Sequence, residues 1–235
     1  MALVNREEDM KGTFYGVGIG PGDSELMTLK AVRLIESSEV IAFPGTKPEE
    51  TLAYRIVSGE VKDLGNKDLI GLDFPMVSDK EVVSAAHRKN TDMICERLEK
   101  GQDVIFPVLG DPGVYSTFSY VADMVKERGF ETAVIPGITS FCAAAAEDGT
   151  NLIYGDEALH VLPNAKNAES DLRLSGTKVF MKTTKNAWKV MEMAEQNGQF
   201  VTAFENCTME DSRVYHSSDE AKNSGYYTLV VVKDR

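Results

Sequence analysis

Apolar residues along this chain fall into short dense runs separated by stretches of helical spacing. Residues 13–19 (Thr-Phe-Tyr-Gly-Val-Gly-Ile), 40–43, 104–109 and 132–135 are brief and almost wholly apolar. Runs of that length and density are the texture of strands covered on both faces. Between them the spacing changes. Leu26, Leu29, Val32 and Ile35 recur at about one helical turn, as do Val82, Val83, Ala86, Met93, Ile94 and Leu98 within 79–100, and Val114, Phe118, Val121 and Val125. Such stripes predict amphipathic helices. Asp23 is placed to cap the first of these and Gly101 to end the second. A short helix over 51–58, a weak strand over 69–72 and a helix over 141–147 complete the alternation. Strand and helix in turn predict a parallel sheet covered on both sides, an α/β domain spanning 12–140.

The pattern changes after Gly149. Short strands are expected at 160–162, 178–181, 200–204, 213–215 and 226–232, with a polar stretch at 164–170 and one clear helix at 186–196. More strands per helix predicts a second, mixed-sheet α+β domain over 141–235.

The stretch with the most chemistry is Gly110-Asp111-Pro112-Gly113-Val114-Tyr115-Ser116-Thr117. It lies between the carboxyl end of the 104–109 strand and the first turn of a helix, the edge at which open α/β sheets bind ligands. Gly110 and Gly113 allow close approach of backbone to a ligand, and Pro112 stiffens the turn. Asp111 attracts a cation and repels phosphate, which points to a positively charged or amine-bearing ligand. The glycine run from Gly16 to Gly22 resembles two nucleotide loops and matches neither. A P-loop requires Lys-Ser/Thr where Asp23-Ser24 stands. A dinucleotide fingerprint requires an acidic residue at the end of the next strand, which here ends in Phe43-Pro44.

Composition narrows the classes. The chain has 235 residues, 43% hydrophobic, with a formal net charge of −12. That charge argues against a nucleic-acid surface. No apolar stretch approaches the roughly 20 residues that span a bilayer, so no membrane association is expected. Met1 to Lys11 is polar, lacks the apolar region of a signal peptide, and is expected to be a frayed extension. The three cysteines, Cys95, Cys142 and Cys207, are expected to be buried free thiols in a reducing cytoplasm. The histidines His87, His160 and His216 have no metal-ligand spacing, and no metal site is expected.

Taken singly, Met181 is a core residue, Tyr115 a packed aromatic, and Lys182 and Lys185 solvated charges. Their joint order is more specific. A glycine-proline turn after the first strand, Gly110-Asp111-Pro112 after a middle strand, Pro136-Gly137-Ile138-Thr139-Ser140 after the last parallel strand, and then Val179-Phe180-Met181-Lys182 resembles the tetrapyrrole methylase family over nearly the whole chain. Phe74-Pro75-Met76, the 110–117 loop, Pro136 to Phe141 and the closing Tyr226-Tyr227-Thr228-Leu229 are similar to the branch that methylates carbon 20 of precorrin-2 or cobalt-factor II.

The resemblance implies an S-adenosylmethionine-dependent C-methyltransferase of corrin synthesis, a cytoplasmic homodimer, with its cofactor in a cleft between two domains. It implies that Pro21 borders the site and that Leu109, Gly110, Asp111, Val114 and Tyr115 hold the methionine part, with Thr139 and Ser140 beside them. Met181, the segment from Phe204 to Asn206, and Thr228 would enclose the adenosine; Tyr115 and Lys182 would face the tetrapyrrole. Asn206 and Thr208 depart from the family pattern, which carries a basic residue and a glycine there.

A polycarboxylate substrate on an acidic protein needs a local basic lining, for which Lys182, Lys185, Arg55 and Lys47 are candidates. No catalytic side chain is assigned. The rival expectations are a family member acting at another ring position and a non-catalytic nucleotide- or anion-binding module. Asp23 and Asp111 argue against the latter.

Overall fold

The computed structural model describes residues 11–234. The extension expected over the first residues therefore lies, Lys11 apart, outside the described residues. The chain forms two compact units, Met1–Ile138 and Thr139–Arg235.

The first unit carries five strands, β1 (Thr13–Gly18), β2 (Val40–Pro44), β3 (Asp68–Leu72), β4 (Val104–Val108) and β5 (Glu131–Ile135). They lie in the order β3-β2-β4-β1-β5, and every pairing is parallel. Alternate residues of each strand go to opposite faces of the pleat. Phe14, Val40, Ala42, Val104 and Phe106 pack on one face with Ile94 and Leu98 of helix α3 (Lys80–Leu98) and Val121 and Val125 of α4 (Phe118–Glu127). Val17, Ile41, Phe43 and Ile105 pack on the other with Ala31 and Ile35 of α1 (Leu29–Ser37) and Ile56 and Val57 of α2 (Leu52–Glu60). Two apolar faces are why these strands read as continuous apolar runs.

Three helix expectations are corrected in detail. Asp23 caps a single 3-10 turn, Ser24–Leu26, by accepting from the Glu25 N–H at 2.9 Å. The α-helix proper starts one turn later, capped by Thr28 through the Ala31 N–H at 3.2 Å. Leu29 consequently falls at the first helical position and is 73% exposed. Helix α4 begins at Phe118, so Val114 belongs to the preceding turn. In α3, Val82 is exposed, whereas the polar Asn90 and Thr91 are buried. Asn90 makes a two-way pair with the main chain of Asp73, at 3.1 and 2.7 Å, and Thr91 donates to the His87 carbonyl at 2.8 Å. Each buried polar atom thus has a partner, which is what allows polar residues to share an inward face.

The second unit contains α5 (Ser140–Glu147), β6 (Leu159–Leu162), α6 (Ala168–Asp171), β7 (Thr177–Phe180), α7 (Ala187–Gln196), β8 (Phe200–Glu205), β9 (Arg213–Tyr215) and β10 (Thr228–Lys233). The strand order is β6-β7-β10-β8-β9. Only β6 and β7 run parallel; the other pairs are antiparallel, so the sheet is mixed. Its core joins Phe180, Ala203, Val230 and Val232 to Ala187, Val190, Met191 and Ala194 of α7. The polar stretch near residue 167 folds as α6. Lys178, in the middle of β7, is fully buried: its ammonium donates to the Leu174 carbonyl at 3.0 Å and pairs with Asp234. Tyr226 and Tyr227 precede β10 and are about half exposed.

All three cysteines are free, but Cys142 is exposed. In α5 the buried set is Phe141, Ala143, Ala144 and Ala145, and Cys142 falls outside that stripe. No helix among the described residues is long and apolar enough to cross a membrane.

Candidate cofactor site

In the first unit the carboxyl ends of β4, β1 and β5 are neighbours in the sheet, and the three loops that leave them meet. Past the ladder, the Ile19 N–H donates to the Val108 carbonyl at 3.0 Å and the Gly110 N–H to the Gly20 carbonyl at 2.8 Å. Gly18, Gly110 and Gly137 then touch through bare backbone. A Cβ on Gly137 would stand 2.1 Å from the Gly110 carbonyl oxygen and 2.7 Å from Gly18 Cα, and one on Gly18 would stand 2.6 Å from Gly137 Cα. The glycine run that looked like a nucleotide loop has this packing reason instead. Gly16, two residues earlier, leaves the seat for the Phe118 ring, 2.7 Å from where its Cβ would be.

Asp111 locks the arrangement. One carboxylate oxygen accepts from the Gly113 N–H at 2.7 Å and the other from the Gly137 N–H at 2.9 Å. One side chain therefore closes its own turn and ties the β4 loop to the β5 loop. Both oxygens are engaged by main-chain donors, and each keeps a lone pair for a further donor, so the clamp is compatible with the role expected of this carboxylate toward a cation. Around it, Pro21 and Gly110 are buried and Leu109 and Val114 half-buried. Tyr115 is 40% exposed with φ of 48°. The Ser116 hydroxyl accepts from the Phe118 N–H at 3.1 Å and so starts α4.

In the second unit Thr139 occupies the N-cap position of α5 but makes no side-chain cap bond. Its hydroxyl is buried without a hydrogen-bond partner. A buried hydroxyl left unsatisfied beside the unpaired N–H groups of a helix start is suited to a polar ligand. The loop after β8 packs near this helix. Cys207 Sγ lies 3.8 Å from the Ser140 carbonyl, and Glu147 accepts from the Thr208 N–H at 3.1 Å. Burial, with the Glu147 carboxylate beside it, pushes the Cys207 thiol up to about 12, so it stays protonated and unreactive.

Met181 and Asn206 are half-buried, and Thr228 is buried. Thr183, unsuspected from sequence, donates from its hydroxyl to the Thr228 carbonyl at 2.8 Å and so links the 181–184 segment to β10. Lys182 follows Met181, and burial lowers its amine from the ordinary lysine value. Lys47 is paired with Glu50 at 2.7 Å, and Arg55 and Lys185 are exposed.

Backbone strain marks the same places. Among the described residues six non-glycine residues have positive φ: Asp63, Tyr115, Lys182, Thr184, Asn206 and Thr208. All but Asp63 are expected site residues or lie within two positions of one. Left-handed conformations at such side chains cluster where function over-determines the backbone. Thr208, β-branched at φ of 65°, stands where the family resemblance led one to expect glycine.

Comparison with known proteins agrees with this architecture. The profile of the Tetrapyrrole (Corrin/Porphyrin) Methylases matches residues 13–221. The chain is 32% identical over 224 residues to a probable cobalt-precorrin-2 C(20)-methyltransferase of Methanocaldococcus jannaschii, covering 93% of this chain and 95% of that one. It is 29% identical over 243 residues to a precorrin-2 C(20)-methyltransferase of Sinorhizobium sp, covering 95% and 97%. The fold is also that of uroporphyrin-III C-methyltransferase from Thermus thermophilus complexed with S-adenosyl homocysteine, with a TM-score of 0.70 at 18% identity over 94% of this chain and 92% of that one. The chain belongs to the tetrapyrrole methylase family, whose methyl donor is S-adenosylmethionine.

The residues present fit that donor. It carries no phosphate, and the glycine-lined loop offers no lysine to one. Its amino-acid end needs hydrogen-bond partners, which the main chain of the 110–114 loop in the first unit can supply.

Proposed function

We propose that this protein transfers a methyl group from S-adenosylmethionine to carbon 20 of precorrin-2 or its cobalt-bearing counterpart, in corrin synthesis. The observation that carries the proposal is similarity over nearly the full length to two C(20)-methyltransferases.

S-adenosylmethionine, when bound, supplies an electrophilic methyl group on a sulfonium. The chain's part is to hold donor and acceptor in line and to keep water out, and such positioning can contribute roughly 7–11 kcal/mol. In this reading Pro21, Leu109, Gly110, Val114 and Tyr115 receive the methionine part together with Thr139 and Ser140. Asp111 acts by holding the Gly113 and Gly137 backbones in place. Met181, Asn206 and Thr228 enclose the adenosine. Tyr115 and Lys182 face the tetrapyrrole, Lys182 supplying positive charge toward its carboxylates. No protein nucleophile is required, in keeping with a Cys207 thiol that stays protonated.

Calorimetry with S-adenosylhomocysteine and ATP side by side is the direct test. Binding of the former in the micromolar range and none of the latter is expected; the reverse would sink the proposal. Incubation with precorrin-2 and labelled donor should then place the new methyl at carbon 20, and a product methylated at another ring position would move the chain to a different branch of the family.

The protein is further proposed to be a cytoplasmic homodimer, on family analogy. Light scattering at micromolar concentration is expected to return twice the 25.8 kDa chain mass; a monomer mass would count against it.

A further inference from the structure

Glu205, the last residue of β8, lies within the segment expected to enclose the adenosine, and its own contacts give it a different role. Its carboxylate receives two donors from different parts of the second unit. The Tyr215 hydroxyl on β9 donates to one oxygen at 2.5 Å, and the Gly225 N–H, in the turn before β10, donates to the other at 2.7 Å. The carboxylate fits so closely against that turn that a Cβ on Gly225 would stand 2.4 Å from it. The turn passes the constraint on. The Gly225 carbonyl accepts from the Thr228 hydroxyl at 2.9 Å, and the Thr228 carbonyl accepts from Thr183 at 2.8 Å.

On the other side of Glu205 the chain turns at once into the left-handed conformation of Asn206. Its N–H reaches the Tyr227 carbonyl at 3.0 Å and its amide reaches Asp211 at 2.7 Å. Three segments that are distant in sequence, those containing Met181, Asn206 and Thr228, are thereby referred to one carboxylate.

We propose that Glu205 is the positioning residue of the adenosine-facing surface, setting Thr228 and Asn206 relative to each other without touching the ligand. This rests on the assignment of Asn206 and Thr228 to the cofactor. The inference predicts a pattern rather than a single loss. Glu205→Ala removes both acceptors and frees the turn. Glu205→Gln keeps both contacts, because its carbonyl can still accept from Gly225 and the Tyr215 hydroxyl can rotate to accept from its amide. Gly225→Ala pushes the carboxylate aside without altering it.

The experiment measures S-adenosylhomocysteine affinity by calorimetry, melting temperature, and hydrogen exchange at the Gly225 and Asn206 amides. The native chain, the three variants and the Glu205→Ala/Gly225→Ala double variant are compared. Glu205→Ala is expected to weaken binding by about tenfold or more and to speed exchange at both amides. Glu205→Gln should stay within about threefold of native, and Gly225→Ala should weaken binding but add little on top of Glu205→Ala, as residues acting through one contact do.

Native affinity in Glu205→Ala overturns the proposal, as does a fall in melting temperature with affinity and exchange unmoved. If the native chain itself does not bind S-adenosylhomocysteine, the cofactor assignment fails, and the exchange data alone decide whether Glu205 holds the turn.

Discussion

Gly137→Ala is expected to be the most damaging single-methyl change in the first unit. The added Cβ would meet the Gly110 carbonyl oxygen at 2.1 Å and Gly18 Cα at 2.7 Å. Both obstacles are backbone, one of them in the last residue of the interior strand β1, so no side chain can swing away to relieve the contact. Overpacking against a rigid neighbour costs about 1–3 kcal/mol and sometimes more. For a chain of this size each kcal/mol lowers the melting temperature by about 2–4 °C. The β5 loop must lift off the β4 loop, which also pulls the Gly137 N–H from Asp111. Loss of S-adenosylhomocysteine binding should therefore accompany the loss of stability. Gly65→Ala is the matched control, because a Cβ there meets nothing within 4 Å, and its melting temperature should stay close to native. Equal melting temperatures for the two variants would show that the three-loop contact is not the constraint described.

Asp111→Asn is expected to cost stability and affinity together. The carboxylate faces two donors, the N–H groups of Gly113 and Gly137, one on each oxygen. Asparagine keeps the shape but replaces one acceptor with an NH2 group, so whichever way it turns, two donors confront each other. Loss of one charge-assisted bond costs about 1.5–3 kcal/mol, before the added donor–donor repulsion. Measurement of melting temperature and S-adenosylhomocysteine affinity on the same samples separates this clamp from direct ligand contact. A clamp lowers both and speeds exchange at the Gly137 amide. A ligand carboxylate would lower affinity alone, and an unchanged melting temperature with weakened binding would restore the simpler reading of Asp111 as the partner of a cationic ligand.

Asp111 also illustrates where reading the chain as a string stops. That an acidic residue sits in a glycine-proline turn at a strand's carboxyl end is legible from neighbours within a few positions. That its second oxygen belongs to Gly137 is a fact about a residue 26 positions away. The same divide separates the two halves of the glycine run: its position after a strand was plain, whereas its purpose depended on Phe118, Gly110 and Gly137 arriving from later in the chain. Family resemblance supplied the expected ligand and site residues, and it supplied no account of Thr183 or of what Glu205 holds, because both act through partners distant in sequence.

Hydrophobic periodicity is a local property, and by itself it determined most of what is local here: which stretches are strands or helices, that the first sheet is parallel and covered on both faces, and that the second unit is mixed. Helix starts moved by a turn where two capping residues competed, as Asp23 and Thr28 do. The strand order β3-β2-β4-β1-β5, the meeting of three loops through bare glycine backbone, the burial of Lys178 against an aspartate 56 residues later, and the engagement of both Asp111 oxygens were decided only by tertiary structure. Each depends on which distant groups the packed chain brings within a few ångströms. At that range one Cβ, one N–H or one carboxylate oxygen determines whether the contact forms, and nothing in the neighbouring sequence encodes it.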